Sequence, residues 1–133
     1  MSTMTKAAMD VLAERQRQIE DKGWTPEHDD QHDRGTLSAA AACYACTGSL
    51  ICYLDQQAEL PEDERDLDLE EIGEPARWKA PINDDNLFDP NWPWDESAWK
   101  PSNDARRNLV KAAALLIAEI ERLDRASIQK PQV

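Results

Sequence analysis

Twenty consecutive residues without a formal charge, Gly35 to Leu54, interrupt a chain of 133 residues in which Asp, Glu, Lys and Arg make up 32%. As a helix such a run extends about 30 Å, the depth of a bilayer core or the width of a small domain. Only Leu37, Leu50, Ile51 and Leu54 in it are large aliphatics, and the remainder is mostly Ala with Ser, Thr, Gly, Cys and Tyr. That is too weakly apolar for insertion, so a buried central helix running to about Gln57 is expected, with no membrane partner. Gly35 ends the preceding segment, and Thr36 or Ser38 is expected to cap the helix.

The flanking segments are helical by periodicity. Thr5 to Lys22 places Ala8, Val11, Leu12 and Ile19 on one face and turns Glu14, Arg17, Gln18 and Asp21 away, with Lys22-Gly23 as the stop. Thr25-Pro26 reads as a cap with proline at the first helical position, so Glu27 to Asp33 is expected to make a short turn that puts His28 and His32 on one face. Ser102 or Asn103 caps a last helix to about Ala126, with Leu109, Ala113, Leu116, Ile120 and Leu123 as its buried stripe and Val110 and Ile117 beside it. The fold class expected is all-α: a single domain, residues 1–133, of three main helices with a long Pro/Trp-rich irregular excursion before the last. The wide Ala-rich faces point to a homo-oligomer, because small side chains let helices approach closely.

The excursion divides in two. Residues 59–75 read as an acidic mobile loop, and 76–101 as a Trp/Pro-rich segment anchored by Trp78, Phe88, Trp92, Trp94 and Trp99. Glu59 to Glu74 holds nine acids against Arg65 alone, a net of −8 that leaves −4 of the chain's −12 for everything else. A surface for duplex nucleic acid is not expected on that balance, since phosphate contact needs a basic stripe. The three cysteines, Cys43, Cys46 and Cys52, share the uncharged run, and an odd count with no signal-peptide pattern favours a reducing cytoplasm over a disulfide framework.

Three clusters can carry chemistry. His28 and His32, with Asp29 and the neighbouring Glu27, Asp30 and Asp33, have the residue types and spacing to hold a divalent metal, with Glu14 or Glu20 completing the shell and Asp29 or Glu27 as general base. The same groups can instead cap helix ends and pair with Arg15, Arg17 and Arg34. Joining His28-x3-His32 to Cys43-x2-Cys46 gives a zinc alternative, set against small thiols that simply pack. At the start of the last helix, Arg106 and Arg107 oppose the helix dipole beside Lys100 and Lys111, so an anion is expected there. That anion is either internal, Asp104 or the Glu27–Asp33 cluster, or a ligand phosphate gripped by Arg106, Arg107 and Lys100 with Trp24, Trp94 or Trp99 stacking on a base.

Glu14-Arg15-Gln16-Arg17-Gln18, then Gly23-Trp24-Thr25-Pro26-Glu27-His28-Asp29-Asp30 and His32, Trp92-Pro93-Trp94, Trp99-Lys100-Pro101, and Arg106 to Ala112 through Ile120-Glu121-Arg122-Leu123-Asp124 together resemble a family of small phage- and prophage-encoded proteins. The resemblance covers roughly residues 8–45 and 92–125 and implies a viral accessory protein in a bacterial cytoplasm; it carries over no activity. The acidic stretch and the cysteines have no counterpart in that pattern. The helix leading into Gly23-Trp24-Thr25 is also similar to ryanodine-receptor-type repeat domains, which are non-enzymatic. Glu121-x-x-Asp124 resembles one element of the all-α nucleoside triphosphate pyrophosphohydrolases, whose magnesium needs carboxylates from neighbouring helices. The Glu-x-x-Glu pairs here, Glu59/Glu62 and Glu71/Glu74, lie instead in a Pro- and Gly-broken stretch.

Three functional classes follow: a module binding a nucleotide-type or other phosphorylated small ligand, used against or within host nucleotide signalling or defence; a divalent-metal nucleotide hydrolase; and an acidic inhibitor whose Glu59–Glu74 stretch imitates a nucleic-acid backbone in a host protein's basic groove.

Overall fold

The computed structural model describes residues 3–66 and 92–129. Thr5 opens the first helix, α1 (Lys6–Lys22), by accepting the Ala8 N–H at 3.1 Å. Gly23 closes it in the left-handed conformation at φ 71°, and the Trp24 N–H reaches back to the Gln18 carbonyl at 3.0 Å. Thr25 caps α2 (Pro26–Asp29), which is shorter than its expected extent to Asp33. A second left-handed glycine, Gly35, leads into α3 (Thr36–Glu59) without a side-chain cap, so neither Thr36 nor Ser38 serves as one. Asp95 caps a 3-10 turn at Glu96–Ala98, and α4 (Ala105–Gln129) follows. The fold is all-α, three long helices with short ones between, and no strand among the described residues.

The cap of α4 is Asp104, whose Oδ1 accepts the Arg106 N–H at 3.2 Å, rather than Ser102 or Asn103. Asn108, fully buried, fastens the incoming chain: its Oδ1 accepts the Ser102 N–H and its Nδ2 donates to the Ser102 carbonyl, both at 2.8 Å. Lys100 and the loop around it are thereby fixed against the start of α4.

The uncharged run forms a long helix, as expected, but the central helix is α4, on which α3, α1 and α2 all pack. α4 lies along α3 and, on another side, along α1. By length and composition α3 is apolar enough to cross a membrane, with a mean hydropathy of 1.5 over its most apolar 18 residues. Leu37, Ala40, Ala41, Cys43, Tyr44, Ile51 and Leu54 of α3 are buried against Val110, Ala112, Ala114, Leu115 and Ala118 of α4 and against Trp99.

The outer helices are rotated from their expected faces. On α1, Glu14, Arg15 and Gln18 are buried while Leu12 is exposed. On α4, the expected stripe of Leu109, Leu116, Ile120 and Leu123 faces outward, each more than 40% exposed, and the small residues point in. Ion pairs explain the rotation. Arg107 of α4 meets Glu14 at 2.7 Å and Glu121 meets Arg15 at 3.1 Å. Turning α4 to bury its leucines would take one partner from each of two buried charges, Glu14 and Arg15, leaving them only Arg17 and Asp29.

The start of the acidic stretch also departs from expectation, because Glu59–Asp66 makes defined contacts where a solvated loop is expected. Arg65 donates to the carbonyls of Gln57 and Leu60 at 3.1 Å, supplying donors that the end of α3 lacks, and Tyr53 donates to Asp66 at 2.9 Å. The rest of that stretch lies outside the described residues, as do Trp78 and Phe88.

Candidate functional site

Arg15 is the centre around which the site is assembled. From α1 its Nη2 donates to Asp29 at 2.7 Å, Nη1 to the Trp24 carbonyl at 3.2 Å and Nε to Glu121 at 3.1 Å. One guanidinium therefore ties α1, the Gly-Trp turn, α2 and α4 together, and Asp29, at 0% exposure, has its carboxylate committed to that task. Arg125 reinforces the tie by donating to Asp30 at 2.7 Å.

This fixes Trp24 and α2 and starts a continuous train of rings. Trp24 lies parallel to His28 with centroids 6.1 Å apart, and His28 meets His32 at 4.8 Å. Trp94 contacts both His32, at 4.9 Å, and Trp24, at 5.9 Å. Trp92 then links Trp94 to Tyr44 and Trp99, which itself sits 4.8 Å from Tyr44. The histidine cluster and the tryptophans, read as separate candidates from the sequence, thus form one wall. Burial lowers the His32 imidazole's proton affinity, and nearby His28 lowers it further, against the opposing pull of Asp29 and Glu119.

A pH dependence follows from that shift. With its folded pKa below the ordinary value near 6.5, His32 is protonated first in the unfolded chain. Its contribution to stability is full above that value and is lost as pH falls through the lower folded value. Urea midpoints should decline from pH 7.5 toward 5, and His32→Gln should flatten the upper part of that decline; an unchanged profile in the variant would remove His32 as the cause.

Behind the ring wall lies a cavity of about 380 Å³, lined by Glu14, Arg17, Gln18 and Lys22 of α1, Trp24, Tyr44 of α3, Ala98, Lys100, and Arg107, Lys111 and Leu115 of α4. Five cations border it against one carboxylate, in a chain whose net charge is −12. That carboxylate, Glu14, is shared: Arg17 donates to it at 2.8 and 2.7 Å and Arg107 at 2.7 Å. Burial pushes the Glu14 carboxyl up, but the two guanidinium partners outweigh it and hold it below the usual carboxylate range. Lys111 donates to the Lys100 carbonyl at 2.7 Å and lies 5.5 Å over the Tyr44 ring, while the Tyr44 hydroxyl accepts the Lys100 N–H at 3.2 Å. Burial, and after it the Arg107 charge, lowers the Lys111 ammonium pKa, with Glu14 pulling the other way.

No family model, curated protein or solved structure matches this chain.

Of the expected ligand-binding residues, Trp24, Lys100 and Arg107 line the cavity, Trp94 backs Trp24, and Trp99 is buried beneath Tyr44 as part of the core. Arg106 turns the other way. It pairs with Asp10 at 2.8 Å and borders a second cavity of about 340 Å³, where Arg17, Arg106 and Arg107 are balanced by Asp10, Glu14 and Asp104. The internal anions that meet the two arginines are therefore carboxylates of α1, in place of the expected Glu27–Asp33 cluster or Asp104 alone.

The expected metal residues His28, His32 and Asp29 adjoin one another, with Asp29 Oδ1 3.4 Å from His28 Nδ1. Among the described residues no three His, Cys, Asp or Glu side chains converge to hold a metal ion, so neither the divalent site nor the zinc site with Cys43 and Cys46 is assembled there. Glu121 is likewise engaged with Arg15. Sequence reasoning missed Arg17, Gln18 and Tyr44 as wall residues, whereas Lys111 stood beside the expected anion position. The only signal was their polarity on helices whose other apolar residues had been assigned inward.

Proposed function

We propose that the cavity behind Trp24 binds a phosphorylated small ligand, with a nucleotide as the best fit. The observation that carries this reading is the concentration of Arg17, Lys22, Lys100, Arg107 and Lys111 around a space bordered by a single, already doubly paired carboxylate. Such a set repels itself until an anion enters, and guanidinium and ammonium groups at fixed positions suit phosphate oxygens. Trp24, only partly buried, supplies aromatic surface for a base, and the Lys111 ammonium is held by its bond to the Lys100 carbonyl before any ligand arrives. The balanced cavity beside Arg106 lacks this excess.

In the setting that the sequence resemblance implies, the protein is a phage accessory factor that sequesters or senses such a ligand in the host cytoplasm, and so acts on host nucleotide signalling or defence. The exposed apolar rows of α1 and α4 support the accompanying expectation that copies of the chain associate.

Calorimetric titration with nucleoside mono-, di- and triphosphates and cyclic dinucleotides tests the reading. Arg107→Ala/Lys111→Ala should weaken binding about a hundredfold, since each removes a charge-assisted contact, whereas Arg106→Ala should leave affinity within about twofold. No binding by any of these ligands, or equal binding by the double variant, would sink it.

A further inference from the structure

Gln18 forms part of the cavity wall at 2% exposure, and its Oε1 is buried with no hydrogen-bond donor in reach. The orientation of this amide is chemically determined. Nε2 lies 3.4 Å from Glu14 Oε2, and a carboxylate engaged by two guanidinium groups can only accept, so the nitrogen must face Glu14 and the carbonyl must be the free end. A buried carbonyl left without a donor is a standing penalty in the folded protein, removed only when an N–H or O–H arrives. The long contact to Glu14 is a weak restraint, which leaves the amide able to pivot toward an occupant of the cavity.

The polar wall therefore has two characters. Arg17, Arg107, Lys100 and Lys111 offer donors and positive charge, matching phosphate. Gln18 adds a buried acceptor that has no partner, and Trp24 borders the same space. A cavity of about 380 Å³ lies at the small end of ligand sites and suits a single nucleotide better than a dinucleotide.

Resting on the proposed phosphate site, we infer that the ligand is a mononucleotide whose base carries an exocyclic amine, and that Gln18 Oε1 accepts a hydrogen bond from that amine. Gln18 is then the specificity-determining residue, and the cations supply affinity common to all nucleotides. A site that presents an acceptor discriminates against an analogue lacking the donor, because the acceptor is then left unpaired inside the protein.

Matched nucleotides that differ only by the amine provide the test: AMP against purine riboside 5′-monophosphate, GMP against inosine 5′-monophosphate, and CMP against the 2-pyrimidinone riboside 5′-monophosphate. By calorimetry, the wild-type chain should favour the amine in at least one pair by about tenfold. Gln18→Met, similar in length and without the carbonyl, should reduce that preference to within about twofold. Equal binding within all three wild-type pairs overturns the inference without recourse to any variant, and so does a preference that survives in Gln18→Met. In either case, nucleotide binding that still depends on Arg107 and Lys111 leaves the phosphate site standing, whereas absence of binding by every nucleotide removes both.

Discussion

Arg15→Ala should lower the unfolding free energy by about 3–5 kcal/mol, the largest effect expected of any single substitution in this chain. The guanidinium is almost wholly buried, and its removal leaves Asp29, with no solvent exposure, as an uncompensated charge while also freeing the Trp24 carbonyl and Glu121. Much of the penalty arises from the stranded carboxylate, so the loss should be smaller when Asp29 is neutralised at the same time. Urea unfolding of Arg15→Ala, Asp29→Asn and the double variant forms a thermodynamic cycle. A coupling near zero would show that the two side chains act independently and that the central tie has been misread.

Gly48→Val should cost about 1–3 kcal/mol and weaken nucleotide binding with it. Gly48 marks the close approach of α3 to α4: a Cβ placed there would lie 2.9 Å from the Leu109 Cδ2 and 3.1 Å from the Ala105 carbonyl oxygen. Leu109 is partly exposed and can swing aside, but Ala105 is backbone in the first turn of α4. Gly48→Ala should therefore change stability by less than about 1 kcal/mol, the gain in helix propensity offsetting the small shift required. The branched side chain of Val has to push the start of α4 outward, and Arg107 moves with it. Thermal melts of the two variants beside the wild type, with titration of the best-binding nucleotide, separate the outcomes. A Val variant as stable as the Ala variant would show that this contact yields easily.

Local chemistry in the sequence was a sound guide to where helices begin and end. Lys22-Gly23 and Thr25-Pro26 act where their backbone preferences place them, because stop and cap signals depend on neighbours along the chain, whereas α2 ends at Asp29 and Gly35 serves as the entry to α3. The uncharged run became a helix as expected, although the central position belongs to α4. Facing was harder. Apolar periodicity assigned Leu109, Leu116, Ile120 and Leu123 inward, yet the partners that decide the rotation, Glu14 with Arg107 and Arg15 with Glu121, are some ninety or more positions apart and give no local sign. The site was legible to the same degree. Trp24, Lys100, Arg107 and Lys111 could be singled out from composition and motif, while Gln18 owes its place to the turn of α1 toward α4.

The charged inner face of α1 has a consequence for how the chain is made. Synthesis proceeds from the N-terminal end, and α1 emerges long before Arg107 and Glu121 of α4 exist to meet it. An apolar face in the same position would spend that interval exposed and adhesive, the condition in which nascent chains aggregate. Glu14, Arg15 and Gln18 are instead well hydrated while they wait, and they surrender their water only when α4 arrives carrying the matching charges. The cavity, whose walls come from both of these helices, comes into being at that same moment, so a ribosome-bound fragment ending before α4 does not yet have it.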